Sequence, residues 1–253
     1  MSHTGQLDGP ARCLGQMADT LLPRTCIVCG RQLDTSEKHI CLCCKADIPY
    51  TYYWERTRNP MADCYNERLQ EHISRYEPYS MAAALFFYRS GSPYREMTRS
   101  LKYHSDIAAG RFFSEMLASR LAGSAIADGL DLVVPVPLHW TRKWRRGYNQ
   151  AEIIADVLAR KLGVPMVPDL LERVRRTRTQ TKLSVKEKSS NVEGAFKVSE
   201  KRLSGLALRP LSILVVDDVF TTGATLSQCH RALRTALGRD VRISIATLGY
   251  VGE

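Results

Sequence analysis

The apolar run Ser212-Ile-Leu-Val-Val216 passes directly into Asp217-Asp218, then into Val-Phe-Thr221-Thr222-Gly223-Ala224-Thr225, and then into a helical pattern from Leu226 to Leu237 that stops at Gly238. A short β-rich run without polar alternation is buried on both faces, and feeding it straight into a helix calls for a parallel sheet with helices packed against it. The rest of the C-terminal two thirds fits the same rule. Strands are expected within MAAALFFYRS from Met81, within DLVVPVPL from Asp131, at Ala195 to Val198 and at Val241 to Leu248. Helices are expected in PYREMTRSLKYHS, in GRFFSEMLASRLA and from Asn149 to Leu162, where Ile153, Ile154, Val157, Leu158 and Leu162 share one face. Strands alternating with helices define an α/β fold with flanking helices.

The turn after Val216 carries chemistry. Where the carboxyl end of a parallel strand opens onto a helix N-terminus, unpaired N–H groups and the positive end of the helix dipole attract an anion. Thr221, Thr222 and Thr225 add hydroxyl donors, and Gly223 lets a ligand approach the backbone. Asp217 and Asp218 are poor phosphate ligands but suit a ribose diol, or a Mg²⁺ bridging ligand oxygens. An acidic pair can also simply cap a helix. The strand before it and the TTGAT after it favour a ligand site.

At the other end, five of the eight cysteines fall between positions 26 and 44: Cys26, Cys29, Cys41, Cys43 and Cys44. Thiolates two residues apart in Cys26-Ile-Val-Cys29-Gly30 form a metal knuckle, and Cys41 with Cys44 offers a second. Cys41 with Cys43 remains an alternative pair, and His39 a less suitable substitute. Four thiolates satisfy tetrahedral Zn²⁺ and leave no open position, so the site is structural. Such a metal lets a ribbon of about 25 residues fold where its own core would not suffice. Residues 1–22 form an N-terminal segment, 23–50 the zinc ribbon, 51–80 a linker with room for one helix, and 81–253 the α/β domain. Cys229 reads as a small buried hydrophobe.

A chain of 253 residues with 44% hydrophobic and 25% charged side chains excludes collagen-like, fully disordered and coiled-coil classes. The N-terminus has an early Asp8 and no apolar core, and no run approaches membrane-spanning length. A cytoplasmic protein without membrane insertion is expected. The net charge is +10, and Thr141 to Arg202 alone carries 16 basic and 7 acidic side chains. Anionic partners follow from that asymmetry. Within it, Trp140, Arg142, Lys143, Trp144, Arg145, Arg146 and Tyr148 interleave rings and cations, the composition that stacks bases and tracks the backbone of single-stranded DNA. Arg176 and Arg178, with Arg173 and Arg175, extend the basic series. Core packing for the rings and ligand phosphate for the arginines is the alternative use.

VVDDVFTTGAT resembles the signature loop of type I phosphoribosyltransferases, which bind phosphoribosyl pyrophosphate (PRPP). VVPVPLHWTRKWRRGYNQAE, RTRTQTKLSVKEKSSNVEGAF and the cysteine ribbon resemble the ComF family of competence proteins, so that the likeness runs from Cys26 to Leu248. It implies a type I phosphoribosyltransferase-like sheet, Asp217 and Asp218 on the ribose diol, Thr221, Thr222, Gly223, Ala224 and Thr225 around the 5′-phosphate, and Mg²⁺ accompanying PRPP. Pro137, Leu138 and His139 would face pyrophosphate, Lys102 would reach ligand phosphates, and Arg173 to Lys188, with Gln180, would form a hood. The chain departs from the family pattern in the extra Cys43 and in Lys188 where arginine is expected. The resemblance further implies a role in uptake or processing of single-stranded DNA during natural transformation, with the ribbon available to dock a helicase-like partner. A metabolic phosphoribosyltransferase is the alternative, and no residue names its acceptor.

Overall fold

The computed structural model describes residues 23–71, 77–89, 91–103, 106–138, 147–174, 194–206 and 211–252, with only the backbone at 102 and 103. They form two compact units that divide between Ile48 and Pro49.

In the first unit the chain doubles back at Cys26 to Gly30. Cys26 N–H donates to Arg31 O at 2.8 Å and Leu33 N–H to Arg24 O at 2.8 Å. Gly30 makes the reversal possible with φ of 74°, a region that costs other residues a Cβ clash. A single helical turn, α1 (Leu42–Ala46), follows Cys41. Among the described residues of this unit, only Val28, Leu33, Ile40 and Ile48 join Cys26 and Cys41 as buried apolar residues. That is too little apolar surface to offset the entropy of ordering the unit without another source of stability.

The second unit opens earlier than the sequence suggests. Pro49 accepts the Phe87 N–H at 2.9 Å and Thr51 N–H donates to Leu85 O at 3.3 Å, so residues 49–51 cover a sheet edge. Helix α2 (Pro60–Gln70) follows, with Asn59 accepting from Ala62 N–H as its cap and Pro60 in its first turn. Met61, Ala62, Tyr65 and Leu69 are fully buried in the main core. The reading of residues 51–80 as a linker is therefore corrected. Its apolar face is narrow and includes an alanine and a tyrosine among charges, so the helical period was weak in the letters.

Then come β1 (Ala82–Phe87), α3 (Glu96–Tyr103), α4 (Ile107–Leu121), β2 (Leu132–Pro135), α5 (Gln150–Leu162), β3 (Leu171–Arg173), β4 (Phe196–Val198), α6 (Glu200–Leu203), β5 (Ser212–Phe220), α7 (Ala224–Leu237) and β6 (Arg242–Tyr250). The main sheet has the order β1-β6-β5-β2 and every pair is parallel. This is the parallel sheet with flanking helices that the alternation predicts. Two differences stand out. The strand expected at Ala195 to Val198 is instead half of a small antiparallel ribbon with β3, whose register places Glu172 opposite Lys197. Strand β5 does not end at Val216 but carries both aspartates, with Asp217 opposite Thr247 and Phe220 opposite Tyr250.

Beneath the carboxyl ends lies a chain of rings. Phe220 is 5.7 Å from Tyr250 and 6.3 Å from Tyr65, and Tyr53 is 5.6 Å from Tyr250, centroid to centroid. Ring pairs at these distances add specific geometry to their burial. They make a rigid floor for the turn above. Among the described residues no helix is long and apolar enough to cross a membrane.

Candidate functional site

The carboxyl end of β2 adjoins β5 at Val216, just before the acidic pair. Val136 N–H donates to Val216 O at 2.8 Å, which sets Pro137 and Leu138, both half-buried, beside the acidic pair. Asn149 fixes the return of the chain: its Nδ2 donates to Val136 O at 3.0 Å and its Oδ1 accepts the Ala151 N–H at 3.2 Å, capping α5. Asp218 is buried and donates its N–H to Asp217 Oδ1 at 2.9 Å.

Gly223 turns the chain from β5 into α7 with φ of 70° and ψ of 0°, and no side chain caps that helix. A Cβ at this position would lie 2.8 Å from Phe220 Cζ. Thr221 is exposed, Thr222 and Thr225 are half-buried, and Ala224 is buried. Thr222 Oγ1 is itself buried and has no hydrogen-bond partner among the described residues. A buried hydroxyl without a partner is costly unless something binds there. An uncapped helix start, a spare hydroxyl and a glycine held against a ring fit a small anion.

The cysteines are equally specific. The sulfurs of Cys26, Cys29, Cys41 and Cys44 all lie within 4.8 Å of one another, and Cys29 Sγ is 3.8 Å from Cys41 Sγ. Four thiolates about 2.3 Å from one tetrahedral centre stand about 3.8 Å apart. The donor set and spacing therefore fit a soft divalent metal such as zinc, and the four could hold one. Cys43 is exposed and outside the group, so the geometry pairs Cys41 with Cys44. The Cys41 N–H points at Cys26 Sγ and the Cys44 N–H at Cys41 Sγ, both at 3.4 Å. That second bond holds the Cys41 thiol down to about 7, while burial pushes the Cys44 thiol up.

Of the remaining expected site residues, Tyr148 is half-buried and its hydroxyl donates to Leu101 O. This bond ties the loop before α5 to the end of α3, where Lys102 is the next residue; the Lys102 side chain is not described. His139, Arg142, Arg145, Arg146, Arg176 and Arg178 lie outside the described residues, as does nearly all of the hood.

Two residues escaped the sequence reading. Arg68 of α2 runs beside the turn, its Cδ 3.7 Å from where a Gly223 Cβ would sit, and pairs with Glu71 at 3.6 Å. Glu37 lies in the cysteine unit with its side chain 1% exposed and accepts from Asp34 N–H, Leu42 N–H and Arg31 Nη2 at 2.9, 2.7 and 2.8 Å. Neither has a local sequence signal, because each acts across a gap in the chain.

An α/β domain whose acidic pair and glycine turn share the carboxyl end of one strand, preceded by a four-thiolate unit, is the class of protein that fold and site define. No protein-family model matches the chain. It is 32% identical over 141 residues to Competence protein F of Haemophilus influenzae, covering 53% of this chain and 60% of that protein. DNA utilization protein YhgH of Escherichia coli K12 is 27% identical over 213 residues, covering 82% and 83%, and Competence protein ComFC of Bacillus subtilis is 26% identical over 159 residues, covering 62% and 59%. The chain is thus a homologue of proteins named Competence protein F, ComFC and DNA utilization protein YhgH, and the resemblance read from its motifs is borne out. The chain spans about 60% of the length of the Haemophilus relative and of Salmonella YhgH. Among solved structures, adenine phosphoribosyltransferases of Thermoanaerobacter pseudethanolicus and Trypanosoma brucei overlay with TM-scores of 0.35 and 0.36. They are 18% and 10% identical, covering 58% and 77% of this chain and 83% and 81% of theirs. Overlaps of that size decide nothing about the fold, which stands on its own strand order.

Proposed function

We propose that this protein binds a phosphoribosyl ligand of the PRPP type at the carboxyl end of β5 and single-stranded DNA at its basic surface, and that it acts in DNA uptake or utilization. The observation that carries the reading is the placement of Asp217 and Asp218 directly before the uncapped Gly223 turn. In this reading the N–H groups and hydroxyls from Thr221 to Thr225 hold a 5′-phosphate, with Gly223 and Ala224 keeping the backbone open to it. Asp217 and Asp218 accept from the ribose diol, and their oxygens also suit a Mg²⁺ accompanying the ligand. Pro137, Leu138, His139 and Lys102 face the pyrophosphate side. Arg142, Arg145, Arg146, Tyr148, Arg176 and Arg178 track and stack the DNA.

Zinc held by Cys26, Cys29, Cys41 and Cys44 stabilises the ribbon, which offers a helicase-like partner a docking element. The names of the relatives, competence and DNA utilization, favour this reading over a metabolic phosphoribosyltransferase, and a cytoplasmic location accords with free PRPP and with thiolates kept reduced.

The test is fluorescence anisotropy of a labelled single-stranded oligonucleotide at low and high salt, with and without Mg²⁺-PRPP. Binding that weakens with salt and responds to PRPP supports the proposal. No binding at low salt sinks the DNA part and leaves the metabolic reading to be pursued with acceptors.

A further inference from the structure

On the outer edge of β1, three rings and a guanidinium gather. Tyr50 lies 5.9 Å from Tyr52 and 6.0 Å from Trp54, and Tyr52 lies 5.4 Å from Trp54, centroid to centroid. Arg120, near the end of α4, places its Cζ 4.5 Å from the Tyr50 ring and 5.2 Å from the Trp54 ring. Trp54 is buried as the floor, Tyr50 is half-buried, and Tyr52 is 53% exposed.

Tyr52 is held in an unusual backbone. Its φ of 57° and ψ of 20° are left-handed, a conformation that a bulky side chain adopts only at a cost. The neighbours impose it. Thr51 Oγ1 donates to Ala84 O and accepts the Tyr53 N–H at 3.2 Å, Thr51 N–H donates to Leu85 O, and Asn59 Nδ2 donates to both Tyr53 O and Ala82 O. A glycine or asparagine would make the same turn at less cost. The turn therefore does not account for the tyrosine. Its ring gains an edge contact from Tyr50 and a tilted one from Trp54, yet about half of the residue is left facing solvent. Strain kept in place by an over-determined surrounding, with an exposed ring as its product, points to use of that ring.

The charge around the rings is predominantly basic. Arg56 and Arg58 are exposed on the loop that follows, Arg120 lies on the rings, and Glu55 is the single acid in the stretch from Tyr50 to Arg58. Flat faces beside cations complement a ligand that has flat faces and phosphates, and such a ligand is an unpaired nucleic-acid strand. The geometry points to Tyr52, backed by Tyr50, Trp54 and Arg120, as a stacking platform for the bases of single-stranded nucleic acid, distant in sequence from the basic stretch around Arg145. This rests on the single-strand reading above and adds a second point of contact to it.

The experiment titrates the full chain against labelled oligo-dT and against an abasic strand of the same length, which keeps the phosphates and lacks the bases. Tyr52→Ala is expected to weaken dT binding by about five- to a hundredfold, the range for loss of one base stack, and to leave abasic binding unchanged. Tyr52→Phe keeps the dT affinity. Tyr52→Gly relieves the backbone, so its melting temperature equals or exceeds that of the wild type while dT affinity still falls. Equal losses on both strands would assign Tyr52 to charge or folding and overturn the inference. Unchanged dT binding by Tyr52→Ala would also overturn it, leaving the exposed ring to a protein partner. Wild type that binds neither strand removes the single-strand reading itself.

Discussion

The Glu37 carboxylate accepts the Leu42 N–H at 2.7 Å and so anchors the first residue of α1 to the loop that precedes the second cysteine pair. The same group accepts the Asp34 N–H at 2.9 Å, and Arg31 completes its partners. These donors, the Asp34 and Leu42 N–H groups first, hold the Glu37 carboxyl below its usual range. Outer groups that orient metal ligands commonly account for about 10- to 100-fold in metal affinity. Glu37→Ala is expected to weaken metal retention to that extent in competition with a chelating dye, with Glu37→Gln in between, since it keeps one acceptor. Retention equal to wild type in Glu37→Ala would show that the knuckle orients itself.

Metal removal should act on one unit only. Residues 23–48 bury few apolar side chains, whereas the unit from Pro49 onward has the large core of the sheet. A chelator at neutral pH is expected to raise amide exchange throughout residues 23–48 while the cooperative melting of the rest persists, and Cys26→Ser should reproduce this without chelator. Loss of protection across both units would refute their independence.

Much of this arrangement was legible in the letters, and the reasons differ by element. Strand β5 and helix α7 were legible because an unbroken apolar run and a terminal glycine are local signals. The four-thiolate cluster followed from spacing, although only the three-dimensional positions separate Cys44 from Cys43. The one helix allowed in residues 51–80 is α2, but its place in the core was hidden because its buried face depends on Tyr65, whose hydroxyl finds a partner in His230 at 3.1 Å, 165 residues away. The antiparallel pairing of β3 and β4 was hidden because three-residue strands carry no period. Glu37 and Arg68 could not be singled out, since an acid or base gains meaning only from what folds against it.

Gly223 should tolerate no side chain. Its φ of 70° disfavours any L residue, and a Cβ would stand 2.8 Å from Phe220 Cζ, a ring that is itself packed between Tyr65 and Tyr250. Gly223→Ala is expected to cost about 1–3 kcal/mol in backbone strain alone, read as a lower denaturant midpoint. It should also abolish binding of ribose 5-phosphate in calorimetry. Asp218→Asn, by contrast, keeps the turn and is expected to weaken ligand binding with little change in the midpoint. Binding by Gly223→Ala at wild-type strength would place the phosphate elsewhere.

Acid should destabilise the protein in two stages through the buried polar cluster between α2 and α7. His230 is fully buried, with Tyr65 facing it from α2, Glu77 from the segment before β1, and Arg231 and Arg234 from α7 itself. Burial pushes the His230 pKa down, whereas the His230 ring 3.6 Å away, helped by Arg234 at 2.9 Å, pulls the Glu77 carboxyl down against its own desolvation. For the histidine, the unfolded chain takes up a proton below about pH 6.5 while the folded one resists, so stability is complete above that pH and is lost as pH falls from it toward the depressed folded value. For the glutamate, stability is complete above about 4.3 and is lost as pH falls through the depressed folded value. The two losses have the same sign and add. Denaturant midpoints measured from pH 8 downward are expected to decline first below about 6.5, and His230→Gln should flatten that first limb and also shrink the lower one, because His230 is the main cause of the depressed Glu77 carboxyl. Tyr65→Phe removes the partner of Nδ1 and is expected to cost about 1–3 kcal/mol at neutral pH. A midpoint that stays level between pH 7 and 5 in the wild type would mean that His230 charges as readily in the fold as outside it.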